Sequence, residues 1–327
     1  GSAEDVTPTP TPAGAQKSDG ISNLEIKISS YGATWSVITD WTNTGVSRGV
    51  KAADPQISTF TYTTSAPETI SGKKYLIKTR ANDNALPATG NAENGDTKTG
   101  YTLIYDTHPP TNTIDFPVNT GNYGPSYDVK VISVTAQDFP TAAGSVFNSG
   151  INKVQVKIYD TANYWTGSGL GAEQWRDCEL VGGKWQYPKA PDTIPTWTDK
   201  SYVVYARALD NSGLLSGEQS VTIYYDTQKP TSTITMPNFG WHKTFPSISG
   251  TAVDPGNAGM DKVYVKIQTM RNSNYWKTGS GFSEVVGTWN EISYTGDPWS
   301  YLFNPDWSLE NGNEIRVWSE AKDKAAN

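Results

Sequence analysis

The sequence has very little cysteine or histidine and no long apolar run. Its 327 residues include one cysteine, Cys178, and two histidines, His108 and His242. A single cysteine excludes an intrachain disulfide. Neither histidine stands in a nucleophile motif, which argues against a Ser-His-Asp hydrolase. No apolar run approaches the ~20 residues that a membrane-spanning helix needs, so we expect no membrane insertion in this segment.

Positive charge is also scarce. The chain carries 33 acidic and 26 basic residues, a net charge of −7, without a cluster of lysine and arginine. This balance disfavours nucleic acid and anionic membrane surfaces as partners. Phosphate-binding loops, dinucleotide fingerprints and zinc-ligand spacings are missing as well. We therefore predict that the protein is not an enzyme. The lack of disulfides and of Asn-x-Ser/Thr sequons favours a bacterial origin.

Aromatic and small polar residues are abundant instead. The chain contains 12 Trp, 18 Tyr and 8 Phe, together with 30 Gly, and it lacks long helix-forming runs. Aromatic and β-branched residues favour pleated, half-buried strands, and the many turn formers separate them. The composition predicts an all-β fold of two packed layers.

A short motif occurs twice and organises the chain. The sequence YDTHPPT at 105–111 returns as YDTQKPT at 225–231, each time between two alternating apolar runs. Proline fixes φ and lacks an N–H, so it ends a strand ladder and keeps the connecting peptide extended. We interpret each copy as a semi-rigid joint between two modules. Where a joint repeats, the modules on either side should repeat too.

Two strand patterns occur three times each. Leu24, Ile26 and Ile28 alternate with polar residues, which is typical of a half-buried strand. The first pattern is GISNLEIKI at 20–28, GINKVQVKI at 150–158 and GMDKVYVKI at 259–267. The second is YLIKTRANDN at 75–84, YVVYARALDN at 202–211 and IRVWSEAKDK at 315–324. The repeats predict three modules.

The repeat alignment places the module boundaries at 1–107, 108–227 and 228–327. The first module begins partway through its second strand, and the third lacks its final strand. We therefore expect the sequence to be a window of a longer tandem array. A strand edge left open in the third module would expose unpaired backbone groups, which another chain could complete by strand addition.

These motifs give the chain a family resemblance. The order of a Pro-Thr-x-Thr-Ile strand, an Ala-x-Asp loop, a Gly-Ile-x-x-Val-x-Val-x-Ile strand and a final strand ending in Tyr-Asp-Thr resembles the bacterial immunoglobulin-like tandem repeats of large cell-surface proteins. The resemblance implies a linear array of immunoglobulin-like β-sandwiches, used as stalks, adhesins or surface filaments. The long segment from 175 to 197 exceeds what a minimal module of that kind needs.

In an immunoglobulin-like sandwich the joint, the loop after the second strand and the loop before the last strand meet at one pole. Each of these segments carries an aspartate here, and carboxylate oxygens are ligands of Ca²⁺. The alternative is that each aspartate only forms a turn. The calcium-binding candidates are Asp106, Asp138 and Asp210 for the second module, and Asp226, Asp254 and Asp323 for the third.

Aromatic motifs in the second and third modules suggest a second kind of site. The sequence NYWTGSG at 163–169 recurs as NYWKTGSG at 274–281. Flat rings beside small polar residues can stack on sugars, but such rings also fill sandwich cores and cover sheet edges. The glycan-contact candidates are Tyr164, Trp165, Tyr275 and Trp276.

The functional hypothesis is a non-enzymatic spacer in a large, extracellular bacterial surface or filament protein. Its partners would be neighbouring copies or domains of the same protein, with association through the open strand edge. The alternative is an adhesin module that binds surface glycans or a host through exposed Tyr-Trp loops. The only cofactor that the sequence suggests is calcium.

Overall fold

The computed structural model describes residues 2–5, 21–31, 35–37, 42–43, 56–59, 71–83, 93–97, 99–144 and 146–327. Strands make up almost all of its regular structure, and the predicted all-β fold is confirmed. Within these ranges, no helix has the length and apolar character needed to cross a membrane.

The strands fall into three groups along the chain. The first group contains β1 (Ser2–Asp5), β2 (Ile21–Tyr31), β3 (Trp35–Val37), β4 (Thr42–Asn43), β5 (Gln56–Thr59), β6 (Lys73–Asp83) and β7 (Tyr101–Tyr105), with a 3₁₀ turn at Gly95–Thr97. The second contains β8 (Thr111–Phe116), β9 (Gly121–Tyr123), β10 (Ile132–Gln137), β11 (Ile151–Tyr159), β12 (Tyr164–Trp165), β13 (Leu170–Gly171), β14 (Arg176–Asp177), β15 (Glu179–Val181), β16 (Lys184–Tyr187), β17 (Lys200–Asp210) and β18 (Gln219–Tyr225). The third contains β19 (Thr231–Met236), β20 (Ser247–Val253), β21 (Met260–Thr269), β22 (Tyr275–Lys277), β23 (Gly281–Glu284), β24 (Trp289–Ser293), β25 (Trp299–Leu302) and β26 (Ile315–Asp323).

The chain divides into two compact units. One consists of residues 1–111, 136–152 and 208–216, and the other of residues 112–135, 153–207 and 217–327.

Each strand group forms a pair of sheets. In the first, β1 pairs with β5, and the larger sheet has the order β3-β2-β6-β7 with β4 beside β2. In the second, a sheet of order β15-β16-β10-β8 accompanies one of order β13-β12-β11-β17-β18-β9, in which β14 also pairs with β11. In the third, β19-β20-β25 accompanies β23-β22-β21-β24, with β26 beside β21. This is the arrangement of tandem immunoglobulin-like sandwiches.

Buried and more exposed side chains alternate along the repeated strands, and this alternation explains how the sheets pack in layers. Every second residue of β17 is buried, so Tyr202, Val204 and Ala206 face one layer while their neighbours are half-buried. This is the period of two that a strand imposes on its side chains. Val263, Val265 and Ile267 of β21 are likewise buried, against Phe303 and the side chains of β20 and β25. The two faces together form the core of the third sandwich.

The long segment between Trp175 and Trp197 is part of the second sandwich. It supplies β14, β15 and β16, and its residue Tyr187 is fully buried. The indole of Trp197 is also buried and donates a hydrogen bond to the carbonyl of Val129 at 2.8 Å. The extra length therefore adds sheet and core to the module.

Candidate metal centres

The first aspartate cluster consists of Asp106, Asp138 and Asp210. Asp106 directly follows β7, Asp138 directly follows β10, and Asp210 ends β17. One carboxylate oxygen of each residue lies within 4.8 Å of the others, and all three side chains are buried. The structure thus brings together the three aspartates that the repeat alignment placed at this pole.

Backbone N–H groups fix two of the carboxylates. The N–H of Ser149 donates to Asp106 Oδ2 at 2.7 Å, and the N–H of Gly150 donates to Asp138 Oδ2 at 2.6 Å. The other oxygen of Asp106 accepts the N–H of His108 at 3.1 Å. Hydrogen bonds to an ionised acceptor are strong and orient it. Two successive N–H groups before β11 therefore hold both carboxylates at one place.

Asp210 contains an unpartnered buried oxygen. Its Oδ1 accepts hydrogen bonds from the N–H of Leu214 and from Ser212 Oγ, both at 2.8 Å. Its Oδ2 has no hydrogen-bond partner, although the side chain is 0% exposed. A buried acceptor without a partner costs about 1–3 kcal/mol, and a charged one costs more. The cluster therefore lacks a positive partner at this oxygen.

Nearby protein cations do not compensate the three charges. In the described part of the chain, no ion pair includes Asp106, Asp138 or Asp210. Burial raises the pKa of Asp138, and repulsion from the other two carboxylates adds to this effect. Hydrogen bonds from the N–H groups of Phe139 and Gly150 oppose the rise in the pKa without cancelling it. A bound cation would remove the repulsion directly.

The geometry of the first cluster fits a calcium ion. Ca²⁺ takes oxygen ligands at about 2.3–2.6 Å, so two oxygens on opposite sides of the ion lie roughly 5 Å apart. The limit of 4.8 Å between the aspartate oxygens lets all three reach one ion. Zinc prefers cysteine and histidine ligands, and this cluster consists of carboxylates alone. The ion would be held by Asp106, Asp138 and Asp210, and their negative charges would balance its positive charge.

The second cluster consists of Asp226, Asp254 and Asp323. These residues follow β18, follow β20 and end β26, so they repeat the positions of the first cluster. One carboxylate oxygen of each again lies within 4.8 Å of the others. Asp226 and Asp323 are buried and Asp254 is half-buried.

The backbone donors repeat as well. Asp226 Oδ1 accepts the N–H two residues later, from Gln228 at 2.8 Å. Asp254 Oδ2 accepts the N–H of Gly259 at 2.7 Å, as Asp138 accepts that of Gly150. Both glycines have positive φ, +82° at Gly150 and +74° at Gly259, which only glycine adopts without strain. The glycines that open β11 and β21 thus each present an N–H to an aspartate.

The two clusters differ at the third carboxylate. Asp323 accepts hydrogen bonds from Asn327, through the backbone N–H at 2.9 Å and the side-chain amide at 3.0 Å. A side chain at Gly256 would collide with the Asp226 carboxylate, so the loop closes tightly around the cluster. Every carboxylate oxygen of the second cluster has a protein donor. The first cluster is therefore the stronger candidate for a metal site.

The raised pKa of Asp138 predicts how pH affects the calcium-free protein. Its pKa lies above the ordinary value of 3.8, so the folded state keeps a proton that the unfolded chain releases. This stability contribution is complete below 3.8 and is lost as the pH rises through the folded pKa. In chelator, the free energy of unfolding of the wild type minus that of Asp138→Asn should therefore fall with rising pH.

Urea titrations of both proteins between about pH 4 and about pH 7 measure this difference. Calcium requires ionised carboxylates, so in its presence the same difference should rise with pH. If, in chelator, the difference in free energy of unfolding between the wild type and Asp138→Asn stayed flat or rose with pH, the raised pKa of Asp138 would be contradicted.

The four glycan-contact candidates lie in or against the sandwiches. Trp165 is 8% exposed, and its indole N–H donates to the carbonyl of Thr193 at 2.8 Å. Trp276 donates to the hydroxyl of Tyr301 at 3.0 Å and packs on the third core. Tyr164 and Tyr275 are half-buried. Glycan contact by these residues stays a prediction, and nothing in their packing favours it.

Comparison with protein-family models and with curated proteins finds no match for this chain. Among solved structures, the FN1–FN3 domains of chicken CNTN1 share 12% identity, cover 94% of this chain and 86% of their own, and give a TM-score of 0.35. The fibronectin(III)-like modules of Clostridium thermocellum CbhA share 17%, with coverages of 66% and 89% and a TM-score of 0.33. Domains A168–A170 of titin share 10%, with coverages of 99% and 94% and a TM-score of 0.33. Sequence identities and TM-scores this low support no inference about function.

Proposed function

We propose that this chain is a non-enzymatic spacer made of three immunoglobulin-like modules, 1–107, 108–227 and 228–327, whose joints are fixed by calcium. The observation that carries the proposal is the recurrence of one three-aspartate cluster at both Tyr-Asp-Thr joints. A turn-forming role alone explains single aspartates, but it does not require three carboxylates, five of the six buried, to meet twice.

An ion at the first cluster would tie the joint to the strands around it. Asp106 lies in the connecting peptide, whereas Asp138 and Asp210 belong to the ends of β10 and β17. The same peptide is already held by the N–H of Thr107, which donates to Ser71 Oγ at 2.9 Å. A shared ion adds a stronger link between these segments, because it can move only if all three carboxylates move.

The proposed setting is the outside of a bacterial cell. Support comes from the resemblance to bacterial surface repeats and from the lack of disulfides in a chain that is rich in strands. Extracellular calcium sites bind with dissociation constants of about 10⁻⁴ to 10⁻³ M, so they are filled at the concentrations found outside cells. The proposed partners are neighbouring modules or copies of the same protein.

Calcium is expected to raise the melting temperature of the protein. A ligand that binds only the folded state, at 10 to 100 times its dissociation constant, stabilises it by about 1.4–2.7 kcal/mol. For a unit of this size, that corresponds to a rise of roughly 3–10 °C. Thermal unfolding followed by circular dichroism, with calcium or with chelator, measures the shift.

Magnesium at the same concentration is the matched control, because it demands shorter bonds and near-octahedral geometry and should shift the curve less. Identical melting curves in calcium and chelator would show that the prolines and hydrogen bonds alone hold the joints, and would overturn the calcium part of the proposal.

A further inference from the structure

The outer face of the third sandwich carries a lysine between two indole rings. Lys266 lies on the half-buried, outward side of β21, opposite Trp289 of β24 and Trp318 of β26. Its ammonium group lies 4.6 Å and 4.9 Å from the two ring centres. Both indoles are 37% exposed. One cation and two partly exposed flat rings therefore share this surface.

The second sandwich repeats this arrangement and adds a carboxylate to it. Lys157 occupies the same position of the repeated strand, and its ammonium group lies 4.5 Å from the ring centre of Trp175 and 4.6 Å from that of Tyr205. The ammonium donates a hydrogen bond to Glu173 Oε1 at 2.6 Å, and Glu218 Oε2 lies at the longer distance of 3.7 Å. The chain itself thus shows how a carboxylate binds to a lysine that is flanked by two rings.

The third sandwich has a glycine at the position of this carboxylate. Glu173 lies two residues before Trp175, and Gly287 lies two residues before Trp289. A Cβ placed on Gly287 would lie 3.3 Å from Lys266 Cδ, so this position faces the lysine. In the described part of the chain, no ion pair includes Lys266. The lysine therefore keeps its two rings and lacks the acid.

The acidic residues that are nearest in register do not replace that carboxylate. Glu291 and Glu320 lie opposite Tyr264, the next outward residue of β21. Glu291 is paired with Lys262 at 2.7 Å, and neither acid forms an ion pair with Lys266 within the described ranges. An ammonium group without an acid partner attracts an external anion, most strongly at low salt.

We propose that Lys266, Trp289 and Trp318 form a binding site for an acidic saccharide, such as a chain of uronic acids. The carboxylate of one sugar would accept a hydrogen bond from the ammonium, as Glu173 does from Lys157. A uronic acid carries this carboxylate on a ring whose apolar face can pack on an indole, so one sugar contacts both the cation and a ring. An acidic peptide would supply the carboxylate alone, on a flexible side chain.

The proposal goes beyond the spacer function and does not depend on it. All three residues belong to one sheet of one sandwich, and none of them is part of an aspartate cluster. The ligand would therefore bind on the side of a module, away from the calcium ligands of the joints. Neither the joints nor a bound ion is needed to form the site.

A titration of the full chain with trigalacturonate tests the proposal, followed by the indole N–H resonances of Trp289 and Trp318 in NMR spectra. The buffer contains chelator, so that calcium bridges neither the sugars nor the aspartates. Both resonances should shift saturably. Lys266→Met should weaken binding at least about tenfold, because it keeps the apolar stem and removes a charge-assisted hydrogen bond.

Lys243→Met is the matched control. Lys243 is exposed in the loop between β19 and β20, so this variant loses the same charge at another place and should bind like the wild type. The absence of a saturable shift in the wild type, or equal weakening by both lysine variants, would overturn the proposal.

Two further ligands separate the contributions of charge and ring. Fully methyl-esterified trigalacturonate keeps the sugar rings and loses the charges, whereas triglutamate keeps the carboxylates and loses the rings. Each should bind at least about tenfold more weakly than trigalacturonate. Equal binding of the ester would show that the ammonium is not the recognition element. Equal binding of triglutamate would show that the site accepts acidic peptides, and the assignment to a saccharide would be wrong.

Gly287→Glu should close the site from within the chain. The substitution places a carboxylate where Glu173 stands in the second sandwich, and the backbone at Gly287 does not have positive φ. Binding should fall at least about tenfold, whereas Gly287→Gln adds the same bulk without charge and should retain more of the affinity. Wild-type affinity in Gly287→Glu would place the ligand elsewhere and overturn the proposal. Because these titrations contain chelator, their outcome is separate from that of the calcium melting experiment.

Discussion

Replacing Asp210 by Asn is expected to abolish most of the calcium response of the first cluster while stabilising the calcium-free protein. The substitution removes one of three carboxylates and the oxygen that has no protein partner. Changes to residues that merely support a metal ligand cost about 10–100-fold in affinity, so loss of a ligand should cost at least about 100-fold.

The opposite effect in chelator follows from the same oxygen. The amide of Asn places an N–H donor beside Asp106 and Asp138, where the wild type has a third negative charge. Removing a buried acceptor that has no hydrogen-bond partner stabilises the folded state by about 1–3 kcal/mol. It should also lower the pKa of Asp138, because repulsion from Asp210 is one cause of its rise. In chelator the variant should therefore melt higher than the wild type, and added calcium should hardly change the melting of the compact unit that holds the first cluster.

Asp306→Asn is the matched control. Asp306 is exposed, and it forms a turn by accepting hydrogen bonds from Ser308, outside both clusters. This variant loses the same unit of charge and should keep the wild-type response to calcium. If Asp210→Asn kept the wild-type calcium titration, the first cluster would not be a calcium site. If it melted lower than the wild type in chelator, the unpartnered oxygen of Asp210 would not destabilise the calcium-free protein.

The strands and the clustering of the aspartates could be predicted because the chain repeats them. Alternation specified β2, β11 and β21, and the recurrence of Tyr-Asp-Thr placed Asp106 and Asp226 at equivalent joints. The glycines before β11 and β21 carried a further signal. A glycine that opens the same strand in successive repeats indicates a backbone position that needs positive φ, and here that backbone N–H binds an aspartate.

The difference between the two clusters could not be predicted from the repeats. The aspartates occur at the same positions, and in both clusters the N–H four residues after the third aspartate donates to its Oδ1, from Leu214 to Asp210 and from Asn327 to Asp323. The side chain at that position differs: the Asn327 amide also reaches Asp323 Oδ2, whereas Leu214 carries no donor for Asp210 Oδ2. The repeated strand and joint patterns do not include this position.

The packing of the aromatic residues could not be predicted from the sequence either. On the outer face of the third sandwich, the ammonium group of Lys266 lies 4.6 Å from the ring centre of Trp289 and 4.9 Å from that of Trp318. In the second, Lys157 lies 4.5 Å from Trp175 and 4.6 Å from Tyr205. Cation–π contacts of this kind contribute about 0.5–2 kcal/mol each. The aromatic composition therefore serves the surfaces of the sheets as well as their cores.

Phe303→Ala should be the most destabilising single substitution proposed for the third sandwich. Phe303 is fully buried at its centre, with ring centres of Trp276 and Phe245 at 5.0 and 5.3 Å. Truncating a buried phenylalanine costs about 3–5 kcal/mol, because it removes apolar contacts and leaves a cavity. That amount is a large fraction of the stability of an ordinary domain, so the third sandwich should unfold at far lower denaturant concentration.

Leu302→Ala separates the loss of the core from any effect on the strand. Leu302 directly precedes Phe303 as the last residue of β25, and its side chain is 77% exposed. Its truncation should therefore change the free energy of unfolding by no more than about 0.5 kcal/mol. Urea unfolding followed by tryptophan fluorescence compares the two variants, since Trp276 and Trp307 report on this core. The first aspartate cluster belongs to the other compact unit, so Phe303→Ala should leave the calcium titration of that cluster unchanged. If the two variants had equal stability, Phe303 would not lie at the centre of the core, and if the titration changed, the two units would not be energetically independent.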